Sequence, residues 1–224
     1  MYRLGIIGGM GPMATVEFYR RLVINTPAET DNNHIDMVIL NHATIPDRTE
    51  CILNNQGDKF ISAIRGDFDI MNQLGVQVIA IPCNTSHYYF DRYKEFTDIE
   101  IVNMVESTIC EAVRKGYKKI CVFSTTGTES SGIYKKYADI YNLECLDIEK
   151  QDKEKVMRII YDIKATNEWD STEFNEIVSK YCNDETVSIV ACTELSLINL
   201  SDGNKTHTID ALDILVRESL NKLL

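Results

Sequence analysis

A chain of 224 residues that is 44% hydrophobic and 25% charged has the composition of a soluble globular protein, with length for one large domain or two small ones. Its net charge of −11 argues against non-specific binding to nucleic acid or anionic membranes. No apolar run approaches the ~20 residues of a membrane-spanning helix, and Met1-Tyr2-Arg3 lacks a signal-peptide pattern.

Leu4-Gly5-Ile6-Ile7 opens a strand, Gly8-Gly9-Met10-Gly11-Pro12-Met13-Ala14-Thr15 is a glycine-rich loop, and Val16, Phe18, Tyr19, Leu22 and Val23 mark a helix. Pro12 suits the first helical turn, where its missing N–H costs nothing. Gly9-x-Gly11-x-x-Ala14 formally matches a dinucleotide fingerprint. Two features oppose that reading. The next strand, Ile35 to Leu40, ends in Asn41-His42 where an acidic residue would hold a ribose, and Pro12 removes a donor where pyrophosphate would sit. Asn41 to Arg48 then forms a loop at the carboxyl edge of the sheet. Arg48 is either a bidentate carboxylate partner or a surface cation paired with Asp47 or Glu50. Lys59 to Leu74 is a helix with core residues Phe60, Ile61, Ile64, Phe68 and Met71, closed by Gly75.

Val76-Gln77-Val78-Ile79-Ala80 reads as a buried strand. Ile81-Pro82-Cys83-Asn84-Thr85-Ser86-His87 follows, then Tyr88, Tyr89, Phe90, Tyr93 and Phe96 at helical spacing. Cys83 thus sits where a strand ends and a helix begins. Ligands gather there in open α/β sheets, and a helix N-terminus favours thiolate over thiol. A single such cysteine could equally be a buried structural thiol.

The pattern repeats about a hundred residues later. Ile99 to Val102 is a short strand and Met104 to Arg114 a helix closed by Gly116. Lys119 to Phe123 opens the second half, and the hydroxyl-rich loop Ser124 to Ser131 stands where the first half has its glycines. Helix Tyr134 to Tyr141, strand Leu143 to Leu146, a helical segment from Asp152 to about Asp162 followed by Lys164, and helix Thr172 to Tyr181 come next. Val187-Ser188-Ile189-Val190-Ala191 is then a second β-branched strand, followed by Cys192-Thr193-Glu194. A last amphipathic helix, Ile209 to Leu224, packs back on the first half. The single Trp169 is read as packing.

The expected fold class is α/β: two pseudo-symmetric βα domains with parallel sheets and an active site in the cleft between them. The expected boundaries are 1–100 plus 207–224 for the first domain and 101–206 for the second. Seven cysteines without framework spacing or a Cys-x-x-Cys read as reduced thiols of a cytoplasmic protein. Histidines 34, 42, 87 and 207 do not cluster at zinc spacing, so no metal is expected.

Two cysteines at equivalent strand ends are hard to assign to packing alone. Racemisation of an amino acid needs a base on one face of Cα and an acid on the other, and a thiolate and a thiol suit those roles. Several motifs extend the match: Gly8-Gly9-Met10-Gly11-Pro12 with Ala14-Thr15, Ile45-Pro46-Asp47-Arg48, Pro82-Cys83-Asn84-Thr85-Ser86-His87 and Cys192-Thr193-Glu194. With these in order along nearly the whole chain, the sequence resembles the aspartate/glutamate racemase family of cofactor-independent two-cysteine enzymes, and its aspartate branch best. Glutamate racemases would open with Asp-Ser-Gly and carry His where Glu194 stands. Ala191 replaces the family's usual Gly, and family decarboxylases usually keep one cysteine where this chain has both.

The resemblance implies that Cys83 and Cys192 are the catalytic pair and that Arg48 and Lys164 are cationic contacts of the substrate. Asn84, Thr85 and Thr193 would hydrogen-bond its carboxylate or amine, Met10 would line the pocket, and His87 and Glu194 would order the surroundings of the two thiols. It implies no pyridoxal phosphate or other cofactor, a small amino-acid substrate (aspartate, or aspartate and glutamate), no nucleic-acid or membrane partner, and a homodimer. A broad-specificity aspartate/glutamate racemase is one rival. A non-catalytic amino-acid-binding protein on the same fold is another, although binding alone needs neither thiol.

Overall fold

The computed structural model describes residues 2–224. Two four-stranded parallel sheets organise them. The first contains β1 (Leu4–Gly8), β2 (Met37–Asn41), β3 (Val78–Ala80) and β4 (Glu100–Ile101) in the order β2-β1-β3-β4. The second contains β5 (Lys119–Phe123), β6 (Glu144–Leu146), β7 (Thr186–Val190) and β8 (Thr208–Asp210) in the order β6-β5-β7-β8. The two halves share one topology. The α/β class and the pseudo-symmetry read from the sequence are both present.

Five helices accompany the first sheet and the crossing to the second: α1 (Pro12–Asn25), α2 (Arg48–Leu53), α3 (Gly57–Leu74), α4 (Phe90–Tyr93) and α5 (Met104–Arg114). Six more follow: α6 (Thr126–Ser131), α7 (Ile133–Ile140), α8 (Lys150–Thr166), α9 (Ser171–Tyr181), α10 (Asp202–Thr206) and α11 (Ala211–Asn221). Local chemistry sets many of their ends. Pro12 occupies the first turn of α1, the Asp47 carboxylate accepts from the Glu50 amide at 3.0 Å, and Gly75 closes α3 at φ 61°. The α3 stripe Phe60, Ile61, Ile64, Phe68 and Met71 is buried as its spacing predicts.

Three local readings differ. The chain after Cys83 does not enter a regular helix at once: a 3₁₀ turn, Thr85–Tyr89, precedes the four-residue α4. The reason is side-chain competition for the Cys83 carbonyl, which accepts from Ser86 Oγ at 2.9 Å and His87 Nδ1 at 2.8 Å, while the His87 amide turns to the Asn84 carbonyl. The C-terminal segment is not helical throughout, because Thr208–Asp210 pair with β7 before α11 begins. Trp169 is 40% exposed, so it is not a packing residue.

The C-terminal helix buries Leu212, Leu215, Val216 and Leu220 in a cluster with Leu4, Ile6, Phe18, Leu22 and Val78 of the first half. Arg21 on α1 holds that helix's start through Asp210 at 2.6 Å and Asp213 at 2.7 Å. Sheet 2 thus begins after α5, and the chain returns to sheet 1 for its last helix. Each sheet reverses winding direction at its second and third positions, between β1 and β3 and between β5 and β7. The loops leaving those strands carry Gly9-Met10, Cys83, Thr125 and Cys192 to one place, where such folds bind ligands.

Two glycines permit the close approaches around that place. Gly9, at φ 90°, lies so near the His42 backbone that a Cβ would come within 2.5 Å of it. A Cβ on Gly127 would come within 2.7 Å of the Thr49 Cα, so the α2–α6 seam between the halves closes only around a hydrogen.

Candidate active site

Cys83 follows β3 and Cys192 follows β7; each is 5% exposed, and both line one cleft. Met10, Arg48, Asn84, Thr85, Lys164, Thr193 and Glu194 line it as well. Nine of the ten residues singled out from the sequence therefore meet here. His87 does not. The free space is about 20 Å³, room for roughly one water molecule.

Beside Cys83, Arg48 is buried, and its Nη1 donates to the Pro46 carbonyl at 3.1 Å. Its Nε has no hydrogen-bond partner among the described residues. Burial opposes the guanidinium charge, but the neighbouring Cys83 sulfur and the Asp47 carboxylate outweigh it and hold the arginine more firmly protonated. Arg48 is thus a committed cation with an unfilled donor in a confined space, and not a surface residue, although the Asp47 charge still acts on it.

Cys192 has different neighbours. Its Sγ donates to Glu194 Oε2 at 3.0 Å, and Glu194 Oε1 pairs with Lys164 Nζ at 2.9 Å. Burial first, and then the Glu194 charge, push the Cys192 thiol well above its ordinary range. No helix N-terminus lowers this thiol. Only a 3₁₀ turn, Leu195–Leu197, follows, and it supplies no macrodipole to offset desolvation. The two halves match in topology, yet a guanidinium stands at one sulfur and a carboxylate at the other.

Hydroxyls join the halves behind the thiols. Thr85 Oγ1 lies 2.8 Å from Thr128 Oγ1 and 3.1 Å from Thr125 Oγ1, so its hydroxyl is committed to the seam. Tyr134 donates to Asn84 Oδ1 at 2.6 Å, which leaves the buried Asn84 Nδ2 without a partner. The unfilled N–H groups of Arg48 and Asn84 are both donors on residues that line the cleft. A carboxylate is the group that would satisfy them.

His87 is fully buried away from the cleft. Its Nδ1 donates to the Cys83 carbonyl at 2.8 Å and its Nε2 accepts from the Met104 amide at 3.3 Å, an arrangement that assigns the neutral Nδ1–H tautomer. It therefore orders the Cys83 backbone and the start of α5 without touching the thiol. Burial pushes the imidazole down from its usual range. The folded chain keeps His87 neutral, whereas the unfolded chain protonates it below about pH 6.5. The resulting stability is complete above that pH and is lost as pH falls. The Tm advantage of wild type over His87→Gln is expected to shrink between pH 8 and pH 5, as followed by circular dichroism.

The sequence reading missed Thr49, Thr125 and Tyr161, which also line the cleft. Thr125 belongs to the hydroxyl-rich loop already noted as suited to a polar ligand. Tyr161 lies three residues before Lys164 on α8, one turn away on the same face; the sequence reading ends the helix near Asp162, short of Lys164, and so does not join the two. Among the described residues, no group of three or more His, Cys, Asp or Glu side chains is placed to hold a metal ion, and no helix is long and apolar enough to cross a membrane.

The model of the Asp/Glu/Hydantoin racemase family matches residues 7–219. The chain belongs to that family. The aspartate racemase of Picrophilus torridus superposes with a TM-score of 0.83 at 30% identity, over 99% of this chain and 94% of its own. The broad specificity amino-acid racemase RacX of Bacillus subtilis is 25% identical over 227 residues, 99% of this chain and 98% of that protein. The glutamate racemase of Francisella tularensis, solved in complex with D-glutamate, shares the fold with a TM-score of 0.69 at 16% identity, over 99% of this chain and 81% of its own. The two-cysteine resemblance drawn from the motifs falls within this family.

Proposed function

We propose that the protein is an aspartate racemase that works without pyridoxal phosphate, by proton transfer between two thiols. The observation that carries this reading is the pair Cys83 and Cys192 at equivalent strand ends on one cleft that also holds two cations, Arg48 and Lys164. In one direction the Cys83 thiolate removes the α-proton and the Cys192 thiol returns one to the opposite face. In the other direction the roles reverse. The planar carbanion between them presents two faces, and a pseudo-symmetric pair of halves supplies a group for each.

Aspartate suits the cations. An α-carboxylate and a side-chain carboxylate can each take one, with Asn84 Nδ2 as a further donor. Thr193 and Met10 complete the wall beside Cys192 and the glycine-rich loop. The broad specificity amino-acid racemase from Bacillus subtilis supports a second reading, a racemase of broad specificity.

The deciding experiment incubates the purified protein with L- and D-aspartate, and then with L- and D-glutamate and L-alanine, and follows enantiomer ratio by chiral chromatography. Aspartate is expected to reach the racemic mixture from both sides and to react fastest. Comparable rates for alanine would establish the broad-specificity reading, and no change in either aspartate would overturn racemisation of aspartate.

A further inference from the structure

Lys164 is not a free cation awaiting a carboxylate. Its ammonium is 2.9 Å from Glu194 Oε1, and the other oxygen of that carboxylate accepts the Cys192 thiol at 3.0 Å. Glu194 is 4% exposed and lies against the glycine-rich loop of the opposite half, where a Cβ on Gly11 would come within 3.0 Å of Oε1. It has little room to turn elsewhere. The lysine is on α8, with a side chain 28% exposed and flexible enough to move. The other charged or titratable groups around this carboxylate are Arg48 from α2, whose charge it feels, and Tyr161, one turn from Lys164 and within reach of Cys192.

On the reading that the substrate is a dicarboxylic amino acid, we propose that its carboxylate draws Lys164 away from Glu194, and that Glu194 then takes the proton of Cys192. The S–H bond breaks, an O–H bond forms at Oε2, and the sulfur becomes a thiolate only when substrate is bound; in the direction where Cys192 is the acid, the proton passes back from Oε2 to the sulfur as the sulfur's proton goes to Cα. Two charge rules drive the exchange. Lys164 exchanges one buried carboxylate for another, so its own pairing is kept. Glu194 loses its nearest cation in a confined, poorly solvated place, where an unpaired carboxylate is costly and protonation relieves it. Before binding, burial and Glu194 hold Cys192 as an unreactive thiol, and Lys164, which favours both anions, favours the nearer carboxylate more. Glu194 is therefore a positioning residue that arms one of the two bases in response to substrate. Arg48 feels the Glu194 charge without pairing with it and keeps its place through the exchange.

The thiolate has its own ultraviolet absorbance, and the experiment reads it directly. Aspartate is titrated into wild type and Cys83→Ser, and binding heat is recorded in parallel by calorimetry. A rise in thiolate absorbance that saturates with the binding heat is expected in both. In Glu194→Gln and in Cys83→Ser/Glu194→Gln the binding heat should remain and the rise should vanish. In Lys164→Met the rise should no longer depend on aspartate. Binding heat without any rise in wild type and Cys83→Ser would overturn the exchange. An undiminished rise in the Glu194→Gln variants would overturn the role of Glu194. Absence of binding heat in wild type would instead remove the aspartate reading on which the exchange rests.

Discussion

Replacing either Cys83 or Cys192 with alanine is expected to reduce racemisation by at least about 10³-fold in both directions, because each direction needs a base on one face and an acid on the other. Exchange of the α-hydrogen with solvent is less demanding, since one remaining sulfur can remove a proton and return one to the same face. Each single variant should therefore exchange only one enantiomer in D₂O, without inversion, and the two should select opposite enantiomers. Proton NMR of each enantiomer with each variant measures both the loss of racemisation and the exchange preference. Racemisation that survives in either variant would rule out paired thiols, and one shared enantiomer preference would show that the sulfurs do not flank Cα.

The second large effect is expected at Arg48. Lysine at this position cannot reproduce a planar fork, and it would also lose the bond to the Pro46 carbonyl that fixes the guanidinium. Arg48→Lys should lower kcat/KM for aspartate by roughly 10²–10³-fold, the range for truncating one partner of a buried, hydrogen-bonded charge pair. An amino acid without a side-chain carboxylate should lose less. Steady-state kinetics with aspartate and alanine separate the possibilities. Equal losses would assign Arg48 to the α-carboxylate or to structure, and a matching fall in Tm would favour structure.

Much of this architecture was legible because parallel strands buried on both faces leave near-continuous β-branched runs. Val187 to Val190 and Val78 to Ala80 are such runs, and each delivers its cysteine to a strand end. The three-residue β8 left no such trace, since Ile209 also fits the helical stripe that follows it. The turn after Cys83 was hidden for another reason. Its aromatic spacing is helical, but Ser86 and His87 take the carbonyl that a helix would have used. Pairings that join distant segments were the least visible. Lys164 and Glu194 stand 30 residues apart on a helix and a loop, and no local pattern announces that they meet. The raised Cys192 thiol follows from burial and from that carboxylate, both products of the assembled fold.

The narrowness of the cleft reaches beyond geometry. With space for about one water in the cleft that both thiols line, an amino acid needs more room than this form holds, and a wider form wets surface that is otherwise dry. Admission of substrate is thus coupled to solvent activity. Sucrose or trimethylamine oxide, excluded from protein surface, favours the drier form. Such osmolytes would stabilise the folded chain and slow its turnover together, a trade set by hydration and independent of the chemistry at either sulfur.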